Sequence, residues 1–564
     1  MEAMTTPSPD LRDIADRYWE ARLEASPLFA TFLGDHRFDD RADDLSAEAE
    51  ARLRSTWTGF RDEAAAIDPD GLDETDRVTR ELLVAELDDA VRAIDARLVE
   101  LTSDQMQGIH ADLLIMAGQL SAPEPEHAAM AVTRIPALAA MLDQAAERFR
   151  AGLATGRTPA RINIHRSLNQ IDGYLTSAID DDPFVRLSGP ADWDGEEAWR
   201  ADLAAAVSAH LRPAFERYRA VLADELLPAA RPDDRAGLTF LDGGLDLYRL
   251  LISLHTGLDL APEDLHRIGL EEVTEVLPAQ YRQIGQRAFG TDDLAEIYRR
   301  LLEDPELRYA SAEEILQDAA RCLREATAAM GDWFGILPEA PCVLTPVPDY
   351  LAADAPAAYY TPPAPDGSRP GEYHVNLHEP TSRGRAETAS IAFHEAIPGH
   401  HLQLAIAAER TDLPSFRRLT WGHTAYVEGW ALYTERLAEE MGLYRSDLAR
   451  LGMLASDSWR ACRLVVDTGL HAMGWSRQQA IDFMAANAPV SRDEIEVEVD
   501  RYIGMPGQAL AYKVGQREIL RLRADAEQRL GHRFDLRGFH DVVLGAATVS
   551  LPVLARRVQT WTGA

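Results

Sequence analysis

The chain has 564 residues, 46% of them apolar and 27% charged, which suits a large globular protein and excludes a fibrous, disordered or disulfide-stapled one. Its 93 acidic residues outnumber 57 basic ones, a formal charge of −36, and a surface of that sign repels nucleic acid and anionic membranes. Cys322, Cys342 and Cys462 are widely spaced and odd in number, which fits a reducing compartment and excludes a cysteine metal cluster.

From Leu11 to Trp333 apolar residues recur at three- and four-residue spacing, as in Leu82 to Leu98, Met130 to Arg150 and Ala201 to Leu222, and predict a helical array. Loops are expected at Pro183 to Asp194 and Pro228 to Gly237. Between Pro338 and Pro380 proline, β-branched and aromatic residues become frequent, and the alternation of Tyr373, Val375 and Leu377 predicts a strand over Glu372 to His378. Helical spacing returns after Arg385 and runs to the end. The expected organisation is mainly α: a helical lobe over 1–337, then a catalytic region over 338–564 in which a small β element precedes the chemical motif, the two forming intertwined parts of one unit. Met1 to Arg12 has no basic-then-apolar leader and no stretch reaches membrane length, so a cytoplasmic location without membrane contact is expected.

Six of the sixteen histidines, His374, His378, His394, His400, His401 and His423, fall within fifty residues, a crowding that points to a metal or proton-transfer site. Among them runs His394-Glu395-Ala396-Ile397-Pro398-Gly399-His400-His401. It begins like the zinc-binding His-Glu-x-x-His pattern, in which residues four apart share a helix face and the Glu acts on metal-activated water. Here the fourth position is Pro398, which cannot ligate. On a regular helix His400 would sit about 600° round from His394. Pro398 has no N–H for the carbonyl of His394, and Gly399 allows unusual dihedrals, so a bulge that turns His400 back toward His394 is expected. His401 shares the face of His394 on a straight helix but lies roughly 10 Å along it. It is the alternative ligand, otherwise a neighbour of the ligands or a substrate contact.

Tetrahedral zinc needs a third protein ligand. Tyr426 to Glu435 reads as a helix with Glu428 and Glu435 on one stripe among apolar neighbours, and Glu428 is the candidate. These motifs resemble the bacterial domain of unknown function 885 family, marked by His-Glu-x-x-Pro-Gly-His-His followed by Glu-Gly-Trp-Ala. The likeness extends to Tyr18-Trp19, Pro27 to Gly34, Arg463 to Trp475 and Arg501 to Gly515. The resemblance implies a large helical zincin-like architecture akin to carboxypeptidase Taq, thimet-type oligopeptidases and angiotensin-converting enzyme. It also implies His400 as second ligand and Glu428 as third.

Further candidates are Arg463, Asp467 and His471, spaced by four on one helix face, and Tyr502 and Tyr512 in the segment Arg501 to Lys513, whose hydroxyls could steady an oxyanion. Lys513 is the only lysine among 57 basic residues, so a role that arginine cannot fill, at the substrate, is expected of it. The expected activity is zinc-dependent hydrolysis of short peptides, with one divalent ion, Glu395 as base, and Tyr502, Tyr512, Lys513 and His471 assisting. The strand before the motif is expected to pair with the substrate backbone. The alternatives are a zinc hydrolase of a non-peptide amide or ester and a catalytically silent peptide-binding scaffold.

Overall fold

Apolar residues at helical spacing give the chain its helices, and capping side chains and Pro- or Gly-rich stretches bound them. The fold is mainly α with a three-stranded sheet. It is seen in a computed structural model that describes residues 9–348, 352, 355–364, 367, 369–420 and 422–563. Among the described residues no helix is long and apolar enough to cross a membrane.

The chain divides into two compact units. The first runs to Leu247 and takes back two short segments, Gly474–Arg477 and Asp500–Met505. Its centre is the thirty-residue helix Pro125–Ala154, whose Leu138, Leu142 and Phe149 pack with Phe215 and Tyr218 in one apolar core. The returning segments are held by Asp500, which is fully buried and accepts from Arg166 at 2.8 Å and Arg477 at 2.5 Å. The Ala201 to Leu222 periodicity emerges as two α-helices joined by a wider π turn. The stretches 183–194 and 228–237 contain no α-helix.

The second unit comprises the remainder. It includes helix α1 (Ala312–Trp333), N-capped by Ser311 through the amide of Glu314. The division thus falls at Leu247 and Tyr248 rather than near residue 337, because α1 packs against the metal-motif helix and the sheet. The sheet consists of β1 (Cys342–Pro346), β2 (Ala358–Thr361) and β3 (Gly371–Val375) in the order β1-β3-β2, with β1 parallel and β2 antiparallel to β3. Tyr373 and Val375 of β3 face the core, while Glu372 and His374 face away. The strand expected to receive substrate is therefore the central one, its backbone edges already taken by β1 and β2, and it has none left for a peptide.

Five more helices complete the surroundings of the motif: α2 (Thr388–Glu395), α3 (His400–Glu409), α4 (Thr424–Glu440), α5 (Asp447–His471) and α6 (Ala511–Leu530). α5 starts on a Ser446 cap, which accepts from Ala449 N–H, and carries Asp447 in its first turn and His471 in its last, an arrangement that complements the helix dipole. α4 and α6 meet backbone to backbone. A Cβ on Gly429 would lie 2.4 Å from the Cα of Gly515, and one on Gly515 would lie 1.7 Å from the carbonyl oxygen of Ala425.

Gly515→Val should therefore prise α4 from α6 and cost about 3 kcal/mol or more, since overpacked cores lose about 1–3 kcal/mol even where neighbours yield. A urea titration that gives the wild-type midpoint would disprove so close a contact.

Candidate metal centre

α2 ends on the two residues that open the motif, His394 and Glu395. Instead of bulging and running on, the helix stops there. The chain leaves it at Ala396 (φ −100°, ψ −101°), passes a cis Ile397–Pro398 peptide, and begins α3 at His400 after Gly399 (φ −79°, ψ −124°). His401 N–H closes this wide turn on the Ala396 carbonyl at 3.0 Å. A Cβ at position 399 would sit 1.9 Å from the carbonyl oxygen of His394 and 2.5 Å from that of Phe393, so only glycine lets the chain fold back this tightly. The result sets the His394 and His400 rings 4.9 Å apart and nearly perpendicular, at 87°.

α4 fastens the break from one side. Trp430 Nε1–H donates to the Pro398 carbonyl at 3.0 Å, and Thr434 Oγ1–H is shared between the carbonyls of Ala431 at 2.7 Å and Phe393 at 3.1 Å. Glu435 Oε1 accepts from His394 Nδ1–H at 2.8 Å, which turns Nε2 inward. Two turns earlier on α4, Glu428 Oε2 stands 3.6 Å from His394 Nε2 and 3.5 Å from His400 Nε2.

These three side chains form the one group of three or more candidate donors found among the described residues, with ligand atoms all within 4.8 Å of one another. Donors about 2.1 Å from a tetrahedral ion stand about 3.4 Å from each other, close to the spacing seen. Among the described residues, buried Glu428 Oε2 has no hydrogen-bond partner, nor has His400 Nδ1. Two imidazoles and a carboxylate are a donor set suited to zinc. The electrostatics agree. Burial would push the Glu428 carboxyl up, yet the two imidazoles hold it well below the usual range. Burial would lower His394, yet Glu428 and Glu435 push it up to about 9. Both shifts mark carboxylates set against imidazoles, surroundings that favour positive charge.

Glu395 adds its charge to the same surroundings. Burial raises its carboxyl, opposed by His394 and His400. Tyr512 of α6 lies with its ring nearly parallel to that of His394, at 18° and 6.4 Å. The Arg463 guanidinium stands 4.5 Å from the Tyr512 ring and pairs with Glu498 at 3.0 Å.

A family model described as bacterial protein of unknown function (DUF885) matches residues 27–558. The chain belongs to this family. A solved structure described as a “putative lipoprotein” from Colwellia psychrerythraea is similar over 98% of both chains, at 28% identity and a TM-score of 0.90. A second protein so described, from Shewanella oneidensis, matches over 97% of this chain and 99% of its own at 18% identity and a TM-score of 0.76, which bears on the fold alone. No curated protein matches the chain.

The remaining candidates fall elsewhere in this DUF885 chain. His401, the alternative ligand, has both ring nitrogens engaged: Nε2–H donates to the Ala340 carbonyl at 3.1 Å and Nδ1 accepts from Tyr360 O–H at 2.9 Å. It is buried and its pKa is pushed down to about 4, a neutral structural histidine. Asp467 accepts from Tyr248 O–H at 2.5 Å and from the Gly507 amide at 3.1 Å. His471 is enclosed beside the Tyr248 ring at 5.2 Å, about 12 Å further along α5 than Arg463. Tyr502 belongs to the first unit, fully buried beneath the Arg501 guanidinium.

Lys513, expected at the substrate, is 3% exposed because its ammonium lies between two carboxylates, 2.6 Å from Asp457 and 3.5 Å from Glu272. Asp457 also binds Arg436, with Nε at 2.8 Å, and Glu272 binds Arg517. The compact ammonium thus serves both carboxylates from one point, each of which also binds an arginine. Glu435 is the residue whose part the sequence reading missed. Its seven-residue spacing from Glu428 was the available signal.

Lys513→Met should lower the unfolding free energy by about 3–5 kcal/mol, as removing one partner of a buried ion pair does. Chemical denaturation at the wild-type midpoint would show that the Asp457 pair contributes nothing to folding.

Proposed function

We propose that this DUF885 protein is a zinc-dependent hydrolase of short peptides, related in architecture to the zincins, with the ion held by His394, His400 and Glu428. The observation that carries this reading is the unpartnered Glu428 Oε2, nearly equidistant from two histidine nitrogens at 3.5 and 3.6 Å. A structural zinc would call for a fourth protein ligand, whereas three leave a position for chemistry. Bound there, the ion would supply Lewis acidity, polarising a carbonyl and easing deprotonation of water.

The chain's own groups would do the rest. Glu395 follows His394 directly on the last turn of α2. Its carboxylate takes a proton from the attacking water as the oxygen bonds to the peptide carbonyl carbon, then returns that proton to the departing amine as the C–N bond breaks. Glu435 keeps His394 in the tautomer that presents Nε2. Tyr512, whose ring lies 6.4 Å from that of His394, would donate to the developing oxyanion. The three unpaired thiols support the cytoplasm as compartment, while the lipoprotein description of the Colwellia relative favours the envelope; cell fractionation decides between them.

Elemental analysis of the purified protein should find about one zinc per chain, with His394→Ala, His400→Ala and Glu428→Ala each depleted roughly ten-fold and His401→Ala retaining its metal. Zinc retained by all three alanine variants would remove the proposed ligands. Glu395→Gln should keep zinc and fold while losing at least a hundred-fold in peptide turnover, within the range of about 10²–10⁴ for a lost proton-transfer group. Undiminished turnover in that variant would exclude Glu395 as the base.

A further inference from the structure

α5 carries three arginines, and two of them are matched to carboxylates: Arg450 to Glu439 at 2.8 Å and Arg463 to Glu498 at 3.0 Å. Arg460 is not. It bonds within its own helix, with one terminal nitrogen donating to Ser456 Oγ at 2.6 Å and to the Ser456 carbonyl at 3.3 Å. Its Nε is buried and has no partner, and among the described residues no carboxylate lies within ion-pair distance of it. A half-buried guanidinium whose Nε finds no acceptor keeps donors in reserve for an anion that reaches it.

Its position gives that reserve meaning. The Arg460 guanidinium lies 5.2 Å from the Trp459 ring and 6.0 Å from the Tyr512 ring. Tyr512 in turn lies alongside His394. One aromatic ring therefore separates this cation from the first of the metal-type donors. Glu395 and Glu387 feel its charge without bonding to it. A guanidinium presents five N–H donors in a planar fork that matches a carboxylate bidentately, and most of that fork is unspent.

We propose that Arg460 anchors a carboxylate of the substrate, either the free C-terminus of a peptide or an acidic side chain next to the cleaved bond. This deepens the peptide-hydrolase reading and rests on it for the word substrate. Arg460 is then a specificity-determining residue: it selects which peptides bind and takes no part in moving protons.

Binding measured without turnover separates the two ideas. N-acetyl-Gly-Phe, its C-terminal amide and N-acetyl-Asp-Phe-amide are titrated calorimetrically into the metal-stripped full-length protein, as wild type, Arg460→Gln and Arg460→Lys. One of the two carboxylate probes should bind wild type about ten-fold more tightly than the neutral amide, and which one does so identifies the source of the carboxylate. Arg460→Gln should abolish that preference and Arg460→Lys should restore part of it. Equal binding of all three probes to wild type, or a preference that survives in Arg460→Gln, overturns the proposal. Absence of peptide hydrolysis by the zinc-loaded protein would overturn the hydrolase reading alone, leaving the binding preference to stand or fall by calorimetry.

Discussion

Everything in the metal-type cluster depends on one interruption of the backbone. Pro398 cannot donate to the carbonyl of His394, and Gly399 lets the chain pass directly over that carbonyl. A helix that ran on would send His400 to another face. Broken where it is, it delivers two imidazoles from two helices, edge to face, onto one carboxylate. The two residues by which this motif exceeds the familiar His-Glu-x-x-His spacing are absorbed in a change of helix rather than in a distortion of one.

A break of that kind needs something to hold it, and α4 does so through four side chains in eight residues. Glu428 and Glu435 address the imidazoles, while Trp430 and Thr434 take up the carbonyls of Pro398 and Phe393 that the break exposes. Those carbonyls would otherwise be buried without donors, a penalty of a few kcal/mol each. α4 is in turn pinned to α6 by the contact at Gly429 and Gly515. The buried charges around Lys513 and Asp457 join α5 to α6. The acidic side chains at the centre are thus of two kinds, some matched by arginine or lysine and two, Glu428 and Glu435, set against histidine.

The mainly helical fold and the site cluster could be read from local pattern: helical spacing is repeated over hundreds of residues, and His394, Glu395, His400 and Glu428 sit in two short stretches. The features that escaped depend on distant partners. Nothing near Lys513 announces Asp457, 56 residues earlier, so a rare lysine read as a substrate contact when the structure pairs it with buried carboxylates. β3 was legible as a strand through Tyr373 and Val375, but β1 and β2, which take up its edges, are short and weakly patterned. Tyr502 and Tyr512 lie ten residues apart in sequence and belong to different units, a separation that no local periodicity encodes. The spacing by four of Arg463, Asp467 and His471 was read correctly as one helix stripe, yet Arg463 answers to Glu498 while Asp467 and His471 both meet Tyr248.

The pair His400-His401 carries a consequence for selectivity of another sort. Two adjacent histidines beside a carboxylate could in principle capture an ion in two registers, and a chain that sampled both would present a mixture of geometries. Tyr360 and the Ala340 carbonyl remove that degeneracy by occupying both nitrogens of His401. Since Tyr360 belongs to β2 and Ala340 lies just before β1, the small sheet acts as the arbiter of which histidine is left over. A strand outside the motif thereby decides how the motif is read.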